Sequence, residues 1–297
     1  MTQALYRKYR PKQWDSVIGQ DHVVQTLTNS IKADRVGHAY LFAGLRGTGK
    51  TTVARLLAKA VNCLNEDSAQ RPDNTCDHCK AVNENRFMDL IEIDAASNTS
   101  VDDIRDLRDK INFSPSQGKY KIYIIDEVHM LSTSSFNALL KTLEEPSPTS
   151  HIFLVTARPS ALLPTIRSRC QTIRFAPIDA REIEQKILAS QKFSASDAGL
   201  VARLAAGSIG RALDFDLEKF RARRETMMNV LQSLAGKPNY LTLLKTGEEM
   251  TDAKNKDDYE FYLEILQTLI HDILALGHGA DEKTLVNLDL KASLQKF

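Results

Sequence analysis

The sequence predicts an α/β fold, a mostly parallel sheet with helices on both faces, followed by a small helical domain and a further C-terminal helical region. Three observations lead there. Short apolar runs rich in β-formers alternate with helical stretches up to residue 175, the pattern of strand–helix–strand units. One run, Ile122-Tyr123-Ile124-Ile125, is apolar throughout, as a strand buried on both faces must be. After Ala176 the strand-like runs stop and apolar residues fall at helical spacing.

In chain order, the expected strands are Ala39–Phe42, Leu90–Ile93, Lys121–Ile125, Ile152–Val155 and Gln171–Phe175. Ile183, Ile187 and Leu188, then Leu200, Val201, Leu204 and Ala205, share helical faces. This helical domain is expected to end near Gly236–Pro238, where Gly and Pro punctuate the chain. Beyond it, Tyr262, Ile265, Leu266, Leu269 and Ile273 mark another amphipathic helix. The expected division is 1–175, 176–236 and 237–297. Lys291 to Phe297 carry no helix stop signal, so the third region is read as short or incomplete. There is no internal repeat and no low-complexity tract.

Composition narrows the class without choosing a partner. The chain has 297 residues, 42% hydrophobic and 26% charged, ordinary for a globular protein. Its 39 Lys plus Arg nearly balance 38 Asp plus Glu, which argues neither for nor against nucleic acid. No apolar run approaches the roughly 20 residues that a membrane-spanning helix needs, so no membrane is expected. Met1 to Pro11 is polar and basic, unlike a secretory signal. Four cysteines, three of them clustered, suggest metal or reduced thiols rather than disulfides. The expected compartment is the cytoplasm.

Gly44-Leu45-Arg46-Gly47-Thr48-Gly49-Lys50-Thr51 fits G-x-x-x-x-G-K-[ST] between an expected strand and an expected helix. Glycines let backbone amides curl around phosphate oxygens, and the following helix offers its positive N-terminus. Gly44, Gly47, Thr48, Gly49, Lys50, Thr51 and Thr52 are the candidate phosphate-binding residues. Lys50 would neutralise β/γ-phosphate charge and Thr51 would ligate Mg²⁺. Val53, Leu56, Leu57 and Ala60 share one face of that helix. The competing reading is a Gly-rich turn that happens to contain a lysine.

Asp126-Glu127 follows the apolar strand, at the carboxyl edge of the sheet where ligands of such folds bind. Asp126 would hold Mg²⁺, and Glu127 would position or deprotonate an attacking water. A solvated acidic strand end is the alternative. Thr156, ending the next strand, is placed to hydrogen-bond the γ-phosphate or the water.

These residues resemble a known group, the AAA+ ATPases of the bacterial DNA polymerase III clamp loader. Tyr6-Arg7-Lys8-Tyr9-Arg10-Pro11 and Val17-Ile18-Gly19-Gln20 look like its adenine-binding segment, which implies nucleotide contacts from Tyr6, Arg7, Arg10, Pro11, Val17 and Ile18. His38–Phe42, Asp126–Leu131, Asn137–Pro146 and Ser168-Arg169-Cys170 match further signatures. The last implies that Arg169 acts as an arginine finger in a neighbouring subunit's ATP site. Ala95–Asn98 and Val101–Arg105 sit where the group tracks primer–template DNA, with Arg105 a candidate contact; a solvated helix start is the alternative.

Two departures matter. The group carries a four-cysteine zinc module, whereas this chain offers Cys63, Cys76 and Cys79, with Asp73 where a cysteine would stand. Three thiolates at that spacing suit tetrahedral zinc, with Asp73 as fourth ligand and His78 a weaker candidate. Reduced thiols without metal are the alternative. Second, Gly207-Ser208-Ile209-Gly210-Arg211-Ala212-Leu213 shifts the nucleotide-sensing arginine by one position, about 100° around a helix. Arg211 therefore remains a candidate nucleotide contact without an assured reach. A γ/τ-like front thus joins a δ′-like back.

The resemblance implies an ATPase within the DNA-directed DNA polymerase complex (a nucleotidyltransferase). ATP, Mg²⁺ and Zn²⁺ would be its cofactors. Its partners would be sister clamp-loader subunits, the sliding clamp, primer–template DNA and the replicative polymerase. The alternative is a δ′-type scaffold that does not hydrolyse ATP but donates its finger in trans. A recombination motor of the same fold would lack the cysteine insertion and the Asn137–Pro146 signature.

Overall fold

The computed structural model describes residues 10–97, 111, 113–235, 239–251 and 259–297. Its sheet has five strands: β1 Ala39–Ala43, β2 Leu90–Asp94, β3 Lys121–Asp126, β4 Ser150–Thr156 and β5 Gln171–Arg174. All pairs are parallel, in the order β2-β3-β4-β1-β5. These are the five expected runs. β4 begins two residues earlier than its apolar run because Ser150 Oγ and His151 Nδ1 at its polar start find internal partners. Ser150 Oγ donates to the Ile111 carbonyl at 2.9 Å, and His151 Nδ1 lies 2.8 Å from the Gly37 carbonyl.

Helices around the sheet are α1 Asp21–Lys32, α2 Lys50–Val61, α3 Asp77–Asn83, α4 Thr133–Glu144 and α5 Pro164–Arg167. α1 turns Val23, Leu27 and Ile31 inward, at the four-residue spacing of one helical stripe. α2 buries Val53, Leu56, Leu57 and Ala60 as their shared face requires. α4 starts at Ser132, whose Oγ accepts the Ser135 amide at 3.2 Å and caps a helix end that has no partners of its own.

Successive strand side chains point to opposite faces, and the core divides accordingly. Phe42, Phe153, Ile122 and Ile124 pack with α1 and α2 residues on one face. Leu41, Leu154, Tyr123 and Ile125 pack with α4 residues Phe136, Leu139 and Leu143 on the other. Register then sets the functional edge. Ala43 pairs with Thr156 and Ile125 with Leu154, so β1, β3 and β4 end close together.

The chain divides into two compact units, Met1–Ile183 with Gly207–Leu213, and Glu184–Ala206 with Asp214–Phe297. The remaining helices are α6 Ala180–Ala189, α7 Ala195–Leu204, α8 Ile209–Leu213, α9 Leu217–Leu234, α10 Tyr240–Thr251, α11 Tyr259–Gly277 and α12 Lys291–Leu294. Within the second unit, α9 and α11 meet through Phe220 and Phe261. Asp272 of α11 is fully buried and accepts the Val286 and Asn287 amides at 3.0 and 2.6 Å. Those bonds satisfy a carboxylate that burial alone would make costly. No described helix is long and apolar enough to cross a membrane.

Candidate functional site

The glycine-rich loop closes between β1 and α2 only because two positions lack side chains. Gly44 and Gly47 have φ of +156° and +78°. A Cβ on Gly44 would stand 2.6 Å from the Phe175 carbonyl oxygen, and one on Gly47 would stand 2.2 Å from Ser208 Oγ. Lys50 opens α2, is 7% exposed, and donates from Nζ to the Leu45 carbonyl at 2.6 Å. Thr48 Oγ1 donates to the same carbonyl at 2.8 Å. Burial pulls the Lys50 pKa below its usual 10.5; Glu127 and Asp126 oppose the shift, and Arg46 adds to it. Thr51 and Thr52 follow on the first turn of α2.

At the end of β3, Asp126 Oδ2 accepts a hydrogen bond from Thr51 Oγ1 at 2.8 Å, and Asp126 Oδ1 accepts the Glu127 amide at 2.9 Å. The two residues read as Mg²⁺ ligands therefore touch, although 75 positions separate them in sequence. Glu127 has φ +48°, an unusual left-handed conformation for a non-glycine residue. Its Oε2 is buried without a hydrogen bond, an arrangement that suits a water-binding carboxylate. His129 Nδ1 lies 3.5 Å from that Oε2 and 3.0 Å from Thr156 Oγ1. Thr156 is fully buried, its Oγ1 accepts the Arg158 amide at 2.9 Å, and its carbonyl accepts the Gly44 amide at 3.2 Å. Thr156 thus bonds both to the phosphate loop and to His129, which borders the acidic pair.

Gly210 meets the loop. The Gly210 amide donates to the Gly47 carbonyl at 3.1 Å. Arg211 is exposed, and its amide donates to Ser208 Oγ at 3.1 Å. Among the residues expected at the base, Arg10, Pro11, Val17 and Ile18 are half-buried, and Val17 packs on the core cluster shared by α1 and α2. Gln20 fastens this segment by exchanging hydrogen bonds with the Ala176 backbone at 2.7 and 3.1 Å. Tyr6 and Arg7, like Asn98 and Val101–Arg105, lie outside the described residues.

Arg169 follows α5 and pairs with Glu144, the last residue of α4, at 2.6 Å. It also donates to the Thr165 carbonyl at 2.9 Å. The neighbouring Cys170 is buried, which pushes its thiol up to about 12.

Cys63, Asp73, Cys76 and Cys79 converge, with every ligand atom within 4.8 Å of the others. Cys63 Sγ and Cys76 Sγ are 3.9 Å apart. Zn–S bonds of about 2.3 Å in a tetrahedron would place sulfurs about 3.8 Å apart. Burial drives the Cys79 thiol far up, against the Asn74 amide, which lowers it. At Asp73, burial raises the carboxyl, but the Cys76 and Thr75 amides and the two thiols outweigh it and hold the group low. A carboxylate and three thiols converging in this way match a zinc donor set. His78 turns away and bonds the Asn62 carbonyl at 2.7 Å.

Sequence reasoning gave no role to His129, Glu144, Gly210 or Lys59. Lys59 is 2% exposed on α2, and burial brings its pKa down to about 8. A lysine in the last turn of a helix reads as solvated, so nothing marked it.

A parallel sheet, a glycine-rich loop opening α2 and an acidic pair one strand-end away define a P-loop domain of the AAA+ fold. The chain belongs to the family described as DNA polymerase III, delta subunit, whose sequence model matches residues 19–179, just over half of the chain. It is 45% identical over 240 residues to DNA polymerase III subunit tau/gamma of Haemophilus influenzae, covering 79% of this chain and 35% of that one. It is 42% identical over 272 residues to DNA polymerase III subunit tau of Bacillus subtilis, covering 89% and 48%. The resemblance to γ/τ-like clamp-loader subunits therefore holds over most of the chain, which spans between a third and a half of these relatives' length. A solved structure of a Thermotoga maritima RuvB variant matches with a TM-score of 0.52 at 20% identity, over 96% of this chain and 91% of that one. That likeness speaks to the fold alone.

Proposed function

We propose that this chain is an ATP-binding and ATP-hydrolysing clamp-loader subunit of a bacterial DNA polymerase III assembly. The supporting observation is the 2.8 Å contact between Thr51 Oγ1 and Asp126 Oδ2, with Lys50 and Glu127 beside it. Gly44, Gly47, Thr48, Gly49 and Thr52 surround the phosphates, while Arg10, Pro11, Val17 and Ile18, with Tyr6 and Arg7, hold the base. Thr51 and Asp126 carry Mg²⁺, which when bound offsets charge on the phosphate oxygens. Lys50 counters the remaining phosphate charge. Glu127 takes a proton from the attacking water, and Thr156 orients that water or the γ-phosphate. Arg169 completes a neighbouring subunit's site.

Cys63, Asp73, Cys76 and Cys79 hold zinc as a structural site. Residues 1–175 form the nucleotide-binding domain, 176–236 the lid, and 237–297 a helical oligomerisation region. The partners are sister subunits, the sliding clamp, primer–template DNA and the replicative polymerase, in the cytoplasm.

A second reading has its own observation. Gly210 stands against Gly47 where the family places an arginine, and Arg211 is exposed. That favours a δ′-type scaffold which donates Arg169 but does not hydrolyse ATP itself. The test is nucleotide binding and turnover by the purified chain, alone and with sister subunits, clamp and primed DNA. Binding by wild type, turnover only in the DNA-bound assembly and silence of Lys50→Ala support the motor. Absent binding, together with a slower assembly on Arg169→Ala, supports the scaffold.

A further inference from the structure

Lys59 sits on the helix that starts at the phosphate loop, yet its ammonium bonds elsewhere. It donates to the Lys12 carbonyl at 2.5 Å, to Asn74 Oδ1 at 2.5 Å and to Asn83 Oδ1 at 3.0 Å. The acceptors come from different pieces of chain. Lys12 follows Arg10 and Pro11 of the base-binding segment. Asn74 adjoins Asp73 in the ligand loop, in a left-handed conformation with φ +60°. Asn83 ends α3, whose N-cap is Cys76 and whose first turn holds Cys79.

An ammonium has three protons and no acceptor capacity, and burying it requires each proton to be matched. Losing one acceptor therefore disturbs the other two. Two further ties run alongside. Trp14 Nε1 donates to the Arg71 carbonyl at 3.0 Å, joining the base-binding side to the ligand loop. Arg55, one turn before Lys59 on α2, donates to the Val82 carbonyl at 2.9 Å and to Asn85 Oδ1 at 2.7 Å, joining α2 to the end of α3.

We propose that Lys59 is a positioning residue that couples the metal cluster to the nucleotide site. With the four ligands closed on a zinc ion, Asn74 and Asn83 are fixed. Through Lys59 they fix Lys12, and so the segment that receives the base. Metal occupancy then strengthens nucleotide binding, and by reciprocity bound nucleotide tightens metal binding by the same factor. The inference rests on the metal and nucleotide readings above.

The test uses the full chain, with zinc content measured by atomic absorption. Affinity for a fluorescent ADP analogue is measured at constant Mg²⁺, before and after zinc is removed with a zinc-selective chelator. Zinc removal should weaken wild-type binding about tenfold, within the usual span of coupling between sites, and zinc readdition should restore it. Lys59→Met should bind nucleotide weakly whether or not zinc is present. Asn83→Ala leaves every metal ligand and the phosphate loop in place, and should likewise lose most of the zinc dependence. Zinc affinity of wild type, measured by competition with the chelator at equilibrium, should rise by the same factor when the ADP analogue is bound.

Wild-type affinity that ignores zinc, in a chain that demonstrably binds both, overturns the coupling and leaves the two site readings standing. A chain that takes up no zinc overturns the metal reading and this inference together. A chain that binds zinc but no nucleotide overturns the nucleotide reading and this inference with it.

Discussion

The amide of Gly210 donates to the carbonyl of Gly47 at 3.1 Å, so the start of α8 is fastened to the phosphate loop. The approach is close on both sides. A Cβ on Gly210 would stand 3.1 Å from Gly47 Cα, and one on Gly47 would stand 2.2 Å from Ser208 Oγ, with φ at +78°. Gly47→Ala should therefore weaken nucleotide binding about tenfold or more, since left-handed strain of about 1–2 kcal/mol adds to the clash. Adding Ser208→Ala relieves the clash but not the strain, so the double variant should recover only part of the affinity. Titration with a fluorescent ADP analogue separates the two contributions. Full recovery in the double variant would show that backbone strain is irrelevant.

Lys50 sets an expected pH dependence. Burial lowers its folded pKa below 10.5, so in the window between the two values the unfolded chain binds more protons than the folded one. Stability attributable to this group therefore rises with pH through that window. Nucleotide affinity should move the opposite way, because phosphate needs the charged amine. The ADP-analogue Kd of wild type should increase as pH climbs toward 10.5. Lys50→Arg, whose guanidinium stays charged, should bind more weakly throughout and show a smaller alkaline loss, the part that remains coming from Lys59, whose pKa is about 8. Parallel curves for the two proteins would sink the assignment.

Arg169 is held by Glu144 at 2.6 Å, and both side chains are partly exposed. A finger that serves a neighbouring site must leave this partner. Exposed pairs of this kind contribute up to about 1 kcal/mol, so the restraint is light. Glu144→Gln should raise turnover of the complete assembly by no more than about fivefold, with the melting temperature nearly unchanged. Arg169→Ala should lower turnover by about 10³-fold or more. Steady-state ATPase assays on reconstituted assemblies read both effects. A Glu144→Gln assembly as slow as Arg169→Ala would mean that Glu144 positions the finger rather than restrains it.

What could be read in advance follows from how locally each feature is encoded. β3 was legible because a strand covered on both faces needs Ile122 to Ile125 apolar without interruption. The meeting of Thr51 with Asp126 was legible because both stand at fixed offsets from strand ends at the carboxyl edge of one parallel sheet. Gly210 was noticed only as a displaced arginine, since its role depends on Gly47, which is distant in sequence. Lys59 and Glu144 carry no local mark: one looks like a solvated helix end and the other like one acid of a pair. Their partners, Lys12, Asn74 and Asn83 in one case and Arg169 in the other, become neighbours only when the sheet order is set. Asp73 was singled out because it stands where the resemblance places a cysteine and because a carboxylate can supply a fourth ligand.

Thr156 and His129 provide a test of chemistry separated from binding. Thr156 Oγ1 accepts the Arg158 amide at 2.9 Å and lies 3.0 Å from His129 Nδ1, which is 3.5 Å from the unbonded Oε2 of Glu127. Thr156→Val preserves shape while removing the hydroxyl. It leaves the part-buried Arg158 amide and a ring nitrogen without that partner, at a cost of about 1 kcal/mol in stability. Because the hydroxyl bonds His129 and the Arg158 amide, while the glycine loop is held by the Thr156 carbonyl, nucleotide Kd should stay within about threefold of wild type while turnover falls at least about 100-fold, a range seen when one preorganised hydrogen-bonding group is lost. His129→Asn should lower turnover less than Thr156→Val does, also with Kd preserved, because it alters only the orientation of Thr156 and Glu127. Equilibrium titration paired with single-turnover hydrolysis in the DNA-bound assembly makes the distinction. If either variant loses binding and turnover together, the hydroxyl–imidazole pair supports the loop itself and takes no separate part in the chemistry.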